Sequence, residues 1–131
     1  MSKTPHVDVL RSPLGRVRGL GSAHAGSAHW WAQRLTALAL VPLSLWFIFS
    51  VIHFSGASRA DLHIWLSAPV SLVMMLALVA ITFHHLQLGL QVVIEDYVHQ
   101  DAAKMTTLVL TKTLCWFLAL VCVVSVLKIG F

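Results

Sequence analysis

Charge is what this chain mostly lacks. Only 11% of its 131 residues are Asp, Glu, Lys or Arg, while 58% are apolar. A soluble domain carries roughly a quarter charged residues and avoids long uncharged runs. The imbalance excludes a water-soluble globular domain and fits a polytopic membrane protein. Cysteine is scarce too: Cys115 and Cys122 share a helical face without forming a CxxC pair. That excludes a cysteine-held iron–sulfur cluster and gives no reason for a disulfide inside a membrane, so both read as packing residues. No glycine fingerprint follows a strand pattern, so nothing is built to hold a flavin dinucleotide. The residues before Gln33 contain no apolar core of the kind a cleavable signal peptide needs.

What is there falls into four stretches. Residues 1–29 are expected to be a flexible basic tail, with Lys3, Arg11, Arg16 and Arg18 against Asp8. Its repeat of Gly-Ser-Ala-His at positions 21–24 and 26–29 is too short to fold and reads as loop. Trp30 and Trp31, followed by Gln33 and Arg34, match the aromatic and cationic anchors found where a helix enters a bilayer. Residues 35–54 are then uncharged, and about 20 residues cross a hydrocarbon core of about 30 Å; Pro42 is expected to bend this span. Residues 56–63 read as a short polar hairpin. Ser67-Ala68-Pro69 has the make-up of a helix start, with Ser67 as its cap and Pro69 in the first turn.

Residues 66–94 carry no formal charge. As one helix they would be about 43 Å long, more than the core needs, so the end bearing Glu95, Asp96 and Tyr97 is expected to project. A third span over 105–127 contains Lys112, which can snorkel to the interface. The expected fold is an all-α membrane protein with three transmembrane helices, over about 34–55, 66–94 and 105–127, forming one anchor unit from residue 30 to 131. Five of the nine Lys and Arg residues lie at or before Arg34, and the first interhelical hairpin holds only Arg59. The positive-inside rule therefore puts the amino terminus in the cytoplasm and returns the Asp96–Tyr97 loop to that side.

The polar end of the second span is the most informative stretch. At 100° per residue, His85, Gly89, Val92 and Asp96 share one face, and His84 points about 100° away. His85 lies about 13 Å below Ile94, well inside the apolar layer, where ionisable groups are costly and serve a function by default. It is either a neutral imidazole bonded to a neighbouring helix or an axial ligand to haem iron. A second ligand at its depth is missing from this chain. His53 lies about 14 Å away in depth, and His29 and His99 fall outside the membrane. A haem on His85 would therefore sit at a subunit interface. Arg34 enters at the same end, as a partner for haem propionates or as a positive-inside anchor. Tyr97, the only tyrosine, stands with Asp96 at the water boundary. It can donate to a lipid-soluble carbonyl compound or simply belong to an interfacial belt. Gly89 leaves room for a flat macrocycle or for close helix packing.

His85-x3-Gly89-x6-Asp96-Tyr97 at the end of a second span resembles the small hydrophobic membrane-anchor subunit of succinate dehydrogenase, respiratory complex II. The segment His29-Trp30-Trp31-Ala32-Gln33-Arg34-Leu35-Thr36-Ala37-Leu38 is similar to the bacterial form, and the likeness extends from about residue 20 onward. The resemblance implies that His85 is one axial ligand of haem b, the other coming from the larger cytochrome b anchor subunit. It implies that Tyr97 bonds a ubiquinone carbonyl, with Asp96 shaping that pocket, and that Arg34 meets the haem propionates. It implies flavoprotein and iron–sulfur subunits as partners, membrane lipid around the spans, no nucleic acid, and a place in the tricarboxylic acid cycle and respiratory electron transport. The chain would then be a subunit without catalytic residues of its own. His29 sits at a shifted spacing from the family's further histidine, and the doubled His84-His85 is a departure that leaves His84 as the fallback ligand.

Two rivals come from other classes. An anchor of another b-type cytochrome, such as fumarate reductase, would use the same ligand logic with a different soluble partner. A haem-free scaffold or small transporter would make His85 a packing group. The basic tail shares features with a mitochondrial presequence, but its shortness and the Trp30-Trp31 region favour the bacterial inner membrane.

Overall fold

Burying backbone polar groups in hydrocarbon forces the chain to satisfy them within each segment, and helices do so. The computed structural model describes residues 26–131 together with residue 14, and the described residues are helical with no strand. Of the expected tail over 1–29, residues up to 25 lie outside the described residues apart from residue 14, while residues 26–29, expected as loop, are the first turn of a helix. Four helices follow: α1 Gly26–His53, α2 Arg59–Ser67, α3 Pro69–Tyr97 and α4 Asp101–Gly130. The three long ones, of 28, 29 and 30 residues, are apolar enough to cross a membrane. At 1.5 Å per residue each is over 40 Å, about 10 Å longer than a hydrocarbon core.

Helix α3 lies in the middle. It packs along α1 on one side and along α4 on the other, while α1 and α4 make no backbone approach to each other among the described residues. The spans thus form a row rather than a closed triangle, and the buried set among the described residues is correspondingly small: Leu43, Leu66, Leu88, Ile94, Cys115, Ala119 and Gly130, with Ser71 and Gln87 as buried polar residues. Most of the large apolar side chains face outward, where lipid or another subunit would cover them. Pro42 lies inside α1, which continues through it.

The region expected to be a polar hairpin contains a helix of its own. After α1, Gly56 takes φ +85°, a left-handed conformation that suits glycine and reverses the chain. Ser58 then caps α2: its Oγ accepts from the Asp61 amide at 3.3 Å, and the Asp61 carboxylate accepts from the Ser58 amide at 3.2 Å. Trp65 of α2 stacks on Trp46 of α1 at 5.7 Å and lies 5.1 Å from Phe54, so the short helix folds against the end of the first span. Ser67 does not cap α3 as expected. Its hydroxyl donates to the His63 carbonyl one turn back at 2.7 Å. The cap position is Ala68, held extended at φ −64°, ψ 128° because the Pro69 ring excludes the helical conformation from the residue before it. At the other end α3 runs three residues past the expected limit of 94. The Lys104 ammonium donates to the Glu95 carbonyl at 3.0 Å and satisfies one of the backbone acceptors that a helix end leaves open.

Candidate functional site

The central position of α3 sets the chemistry of its two neighbouring faces. Towards α1, the His85 ring is half-buried and its Nδ1 lies 2.8 Å from the Thr36 hydroxyl. The same Oγ1 reaches back to the carbonyls of Ala32 at 2.7 Å and Gln33 at 3.0 Å. One turn further along α3, a Cβ on Gly89 would lie 3.6 Å from the Gln33 amide nitrogen, an ordinary contact, so α1 and α3 already sit close here. On the same face of α1, His29 Nε2 and Gln33 Oε1 are buried without a hydrogen-bond partner among the described residues. A buried polar atom without a partner costs roughly 1–3 kcal/mol.

Towards α4, the other histidine lines a different space. His84 borders a cavity of about 200 Å³ whose walls include Phe83, Gln87, Cys115, Trp116 and Ala119. The two adjacent imidazoles diverge, as 100° per residue requires. Cys115 is buried at this contact, and both cysteines are free.

Arg34 is not brought to His85. It follows Gln33 and precedes Thr36 by two residues, which turns it about 160° around α1 from the threonine; its guanidinium rests 4.7 Å from the centre of the Trp30 ring. Asp96 is exposed, about 16 Å up the His85 face. Tyr97 is 79% exposed, and its carbonyl accepts from the His99 ring at 3.1 Å. These residues share one end of the row, because the start of α1 and the end of α3 run side by side. The described residues contain no cluster of three His, Cys, Asp or Glu that could hold a metal ion. What the His85 face can offer a metal is one imidazole.

A family model described as "Succinate dehydrogenase/Fumarate reductase transmembrane subunit" matches residues 9–127. The chain belongs to this family. It is 36% identical to the succinate dehydrogenase hydrophobic membrane anchor subunit of Rickettsia bellii over 104 residues, 79% of this chain and 82% of the relative. It is 30% identical to that of Rickettsia conorii over 81% of this chain and 85% of the relative. It is 26% identical to that of Paracoccus denitrificans over 91% and 92%. No solved structure gives a significant match.

The chain is therefore a transmembrane anchor subunit of this family, with three helices long and apolar enough to cross a membrane, as the resemblance implied. Two features of this anchor escaped the sequence reading. Thr36 is the first: a lone threonine in an apolar run gives no sign of its partner until the register of α1 on α3 is known. A ladder of polar side chains is the second. Gln91 donates to the Glu95 carboxylate at 2.8 Å, and the buried Gln87 sits within 3.4 Å of Gln91, beside Thr111 and Lys112 of α4. Its spacing of four residues was visible in the sequence as one helical stripe.

Proposed function

We propose that this anchor subunit attaches the flavoprotein and iron–sulfur subunits to the bacterial inner membrane. Paired with the larger cytochrome b anchor subunit, it contributes one half of a haem b site and a share of a ubiquinone site. His85 would hold the haem iron from this side, Arg34 would meet the propionates, Tyr97 would donate a hydrogen bond to a quinone carbonyl, and Asp96 would shape that pocket. The amino terminus faces the cytoplasm. When bound, haem b supplies a one-electron carrier close to the quinone.

The observation that carries the reading is how His85 is held. Its Nδ1 is occupied by Thr36 of the neighbouring helix, and Nε2 has no hydrogen-bond partner among the described residues. Ligating histidines characteristically give their other ring nitrogen to a protein group, which orients the ring. A packing histidine in a haem-free scaffold would make the same bond, so the decisive test addresses haem itself. The tagged chain, purified in mild detergent, is expected to bring with it a flavoprotein, an iron–sulfur protein, a second small anchor and b-type haem. With His85→Ala, the subunits still co-purify and the haem band is lost. A haem spectrum unchanged by that substitution would hand the site to the scaffold reading.

The rest of the chemistry is binding. The acids at the end of α3 and Trp30 and Trp31 at the start of α1 gather at the end that soluble subunits would meet, and the row leaves open flanks for the larger anchor. The family description includes fumarate reductase, and the relatives' names favour succinate dehydrogenase. The ratio of succinate oxidation to fumarate reduction in the purified complex separates the two.

A further inference from the structure

We infer that Thr36 is the positioning residue of the haem ligand: its hydroxyl accepts the Nδ1–H of His85 and thereby fixes the tautomer and the donor strength of Nε2. The inference rests on His85 being an axial ligand, as proposed above.

Proton counting decides the direction of the bond. Thr36 Oγ1 faces three heavy atoms at hydrogen-bond distance: Ala32 O at 2.7 Å, Gln33 O at 3.0 Å and His85 Nδ1 at 2.8 Å. A hydroxyl has one proton, and a backbone carbonyl can only accept. Were that proton given to Nδ1, Oγ1 would face the Ala32 carbonyl at 2.7 Å with no proton between two lone pairs, a repulsive contact. The proton therefore goes back to the Ala32 and Gln33 carbonyls, the usual back-bond of threonine in a membrane helix. The remaining contact then needs a donor, and Nδ1–H supplies it. In a neutral imidazole this leaves Nε2 with the lone pair, the form a metal requires.

Three consequences follow from the one bond. The wrong tautomer, with Nε2 protonated, loses its partner and is disfavoured. The ring plane is tied to α1, so the direction of Nε2 is set by the packing of α1 on α3 rather than by a free side-chain torsion. The bond also makes the imidazole a stronger donor, which favours the ferric over the ferrous iron. A hydroxyl whose own proton is drawn by two carbonyls is polarised into a better acceptor. Thr36 thus acts on the iron through His85 and without touching it.

Thr36→Val keeps the side-chain shape and deletes the acceptor; Thr36→Ser keeps the acceptor. Both are prepared in the whole complex together with His85→Ala, and haem content, haem midpoint potential and the low-spin ferric electron paramagnetic resonance spectrum are recorded. Thr36→Val is expected to raise the midpoint potential and shift the ferric g values, while Thr36→Ser restores both. Succinate oxidation by a soluble artificial acceptor stays unchanged. If Thr36→Val does not assemble, Thr36→Cys, a weaker acceptor, is expected to move the potential in the same direction by less. A valine or cysteine variant with wild-type potential and g values overturns the inference while leaving the ligand reading intact. Haem unaffected by His85→Ala overturns both.

Discussion

At the scale of single residues, the end of α3 sorts its polar groups by angle. His85 turns to α1, His84 to α4, and Asp96 and Tyr97 to the rim. The Tyr97 ring is largely exposed, so an interfacial tyrosine and a quinone donor are alternatives that one atom separates. Tyr97→Phe keeps the ring and removes the hydroxyl. Loss of one hydrogen bond to a reacting carbonyl is worth about 1–1.5 kcal/mol, so kcat/KM for ubiquinone should fall about tenfold. Reduction of a soluble artificial acceptor should not change, and normal quinone kinetics would return Tyr97 to the aromatic belt. The divergence of the two histidines was legible from sequence because it depends only on the helical angle. Thr36 was not legible, because its partner lies 49 residues away and is fixed only by how two helices meet.

At the scale of helices, two contacts decide how the spans sit. Gly89 lies where α1 approaches α3, and a Cβ there would make ordinary contact with Gln33 at 3.6 Å. Gly89→Ala should therefore assemble normally. Gly89→Leu puts a larger side chain against Gln33 of α1, the helix that also carries Thr36, so haem content in the purified complex should drop. Equal haem in the leucine and alanine variants would show that this approach is not required. The second contact is the cap of α2. Removing a serine cap costs about 1 kcal/mol, so Ser58→Ala should speed amide hydrogen exchange across residues 59–67 about fivefold and leave the long helices unchanged. The three spans were readable because each carries a long apolar run, uncharged in the first two and interrupted only by Lys112 in the third. The short helix was not, because Arg59, Asp61 and His63 suggested a polar hairpin; yet Ser58 and Asp61 stood at capping-box spacing all along, with Asp in place of the usual Glu.

At the scale of the molecule, length and charge favour one orientation of the row. Each span exceeds the hydrocarbon core by about 10 Å, so its ends reach into water. The side holding the start of α1 and the turn from α3 to α4 carries Arg34, Glu95, Asp96, Asp101 and Lys104, and it continues into the stretch with Lys3, Arg11, Arg16 and Arg18. The other side has Arg59 and Lys128 as its only Lys or Arg. Six basic residues against two, with Lys112 within α4, favour the first side as cytoplasmic. In that orientation Tyr97 and the projecting acids would face the cytoplasm, the side to which the proposed assembly assigns the iron–sulfur subunit. Orientation can be measured directly with a membrane-impermeant thiol reagent. Ser55→Cys, in the turn after α1, should label in intact spheroplasts, and Ser27→Cys, at the start of α1, only in inverted vesicles. The native cysteines lie within α4, inside the apolar layer, and should stay unreactive. The opposite labelling pattern would place the quinone rim outside the cell and separate it from cytoplasmic succinate oxidation, which would overturn the proposed assembly and not merely its orientation.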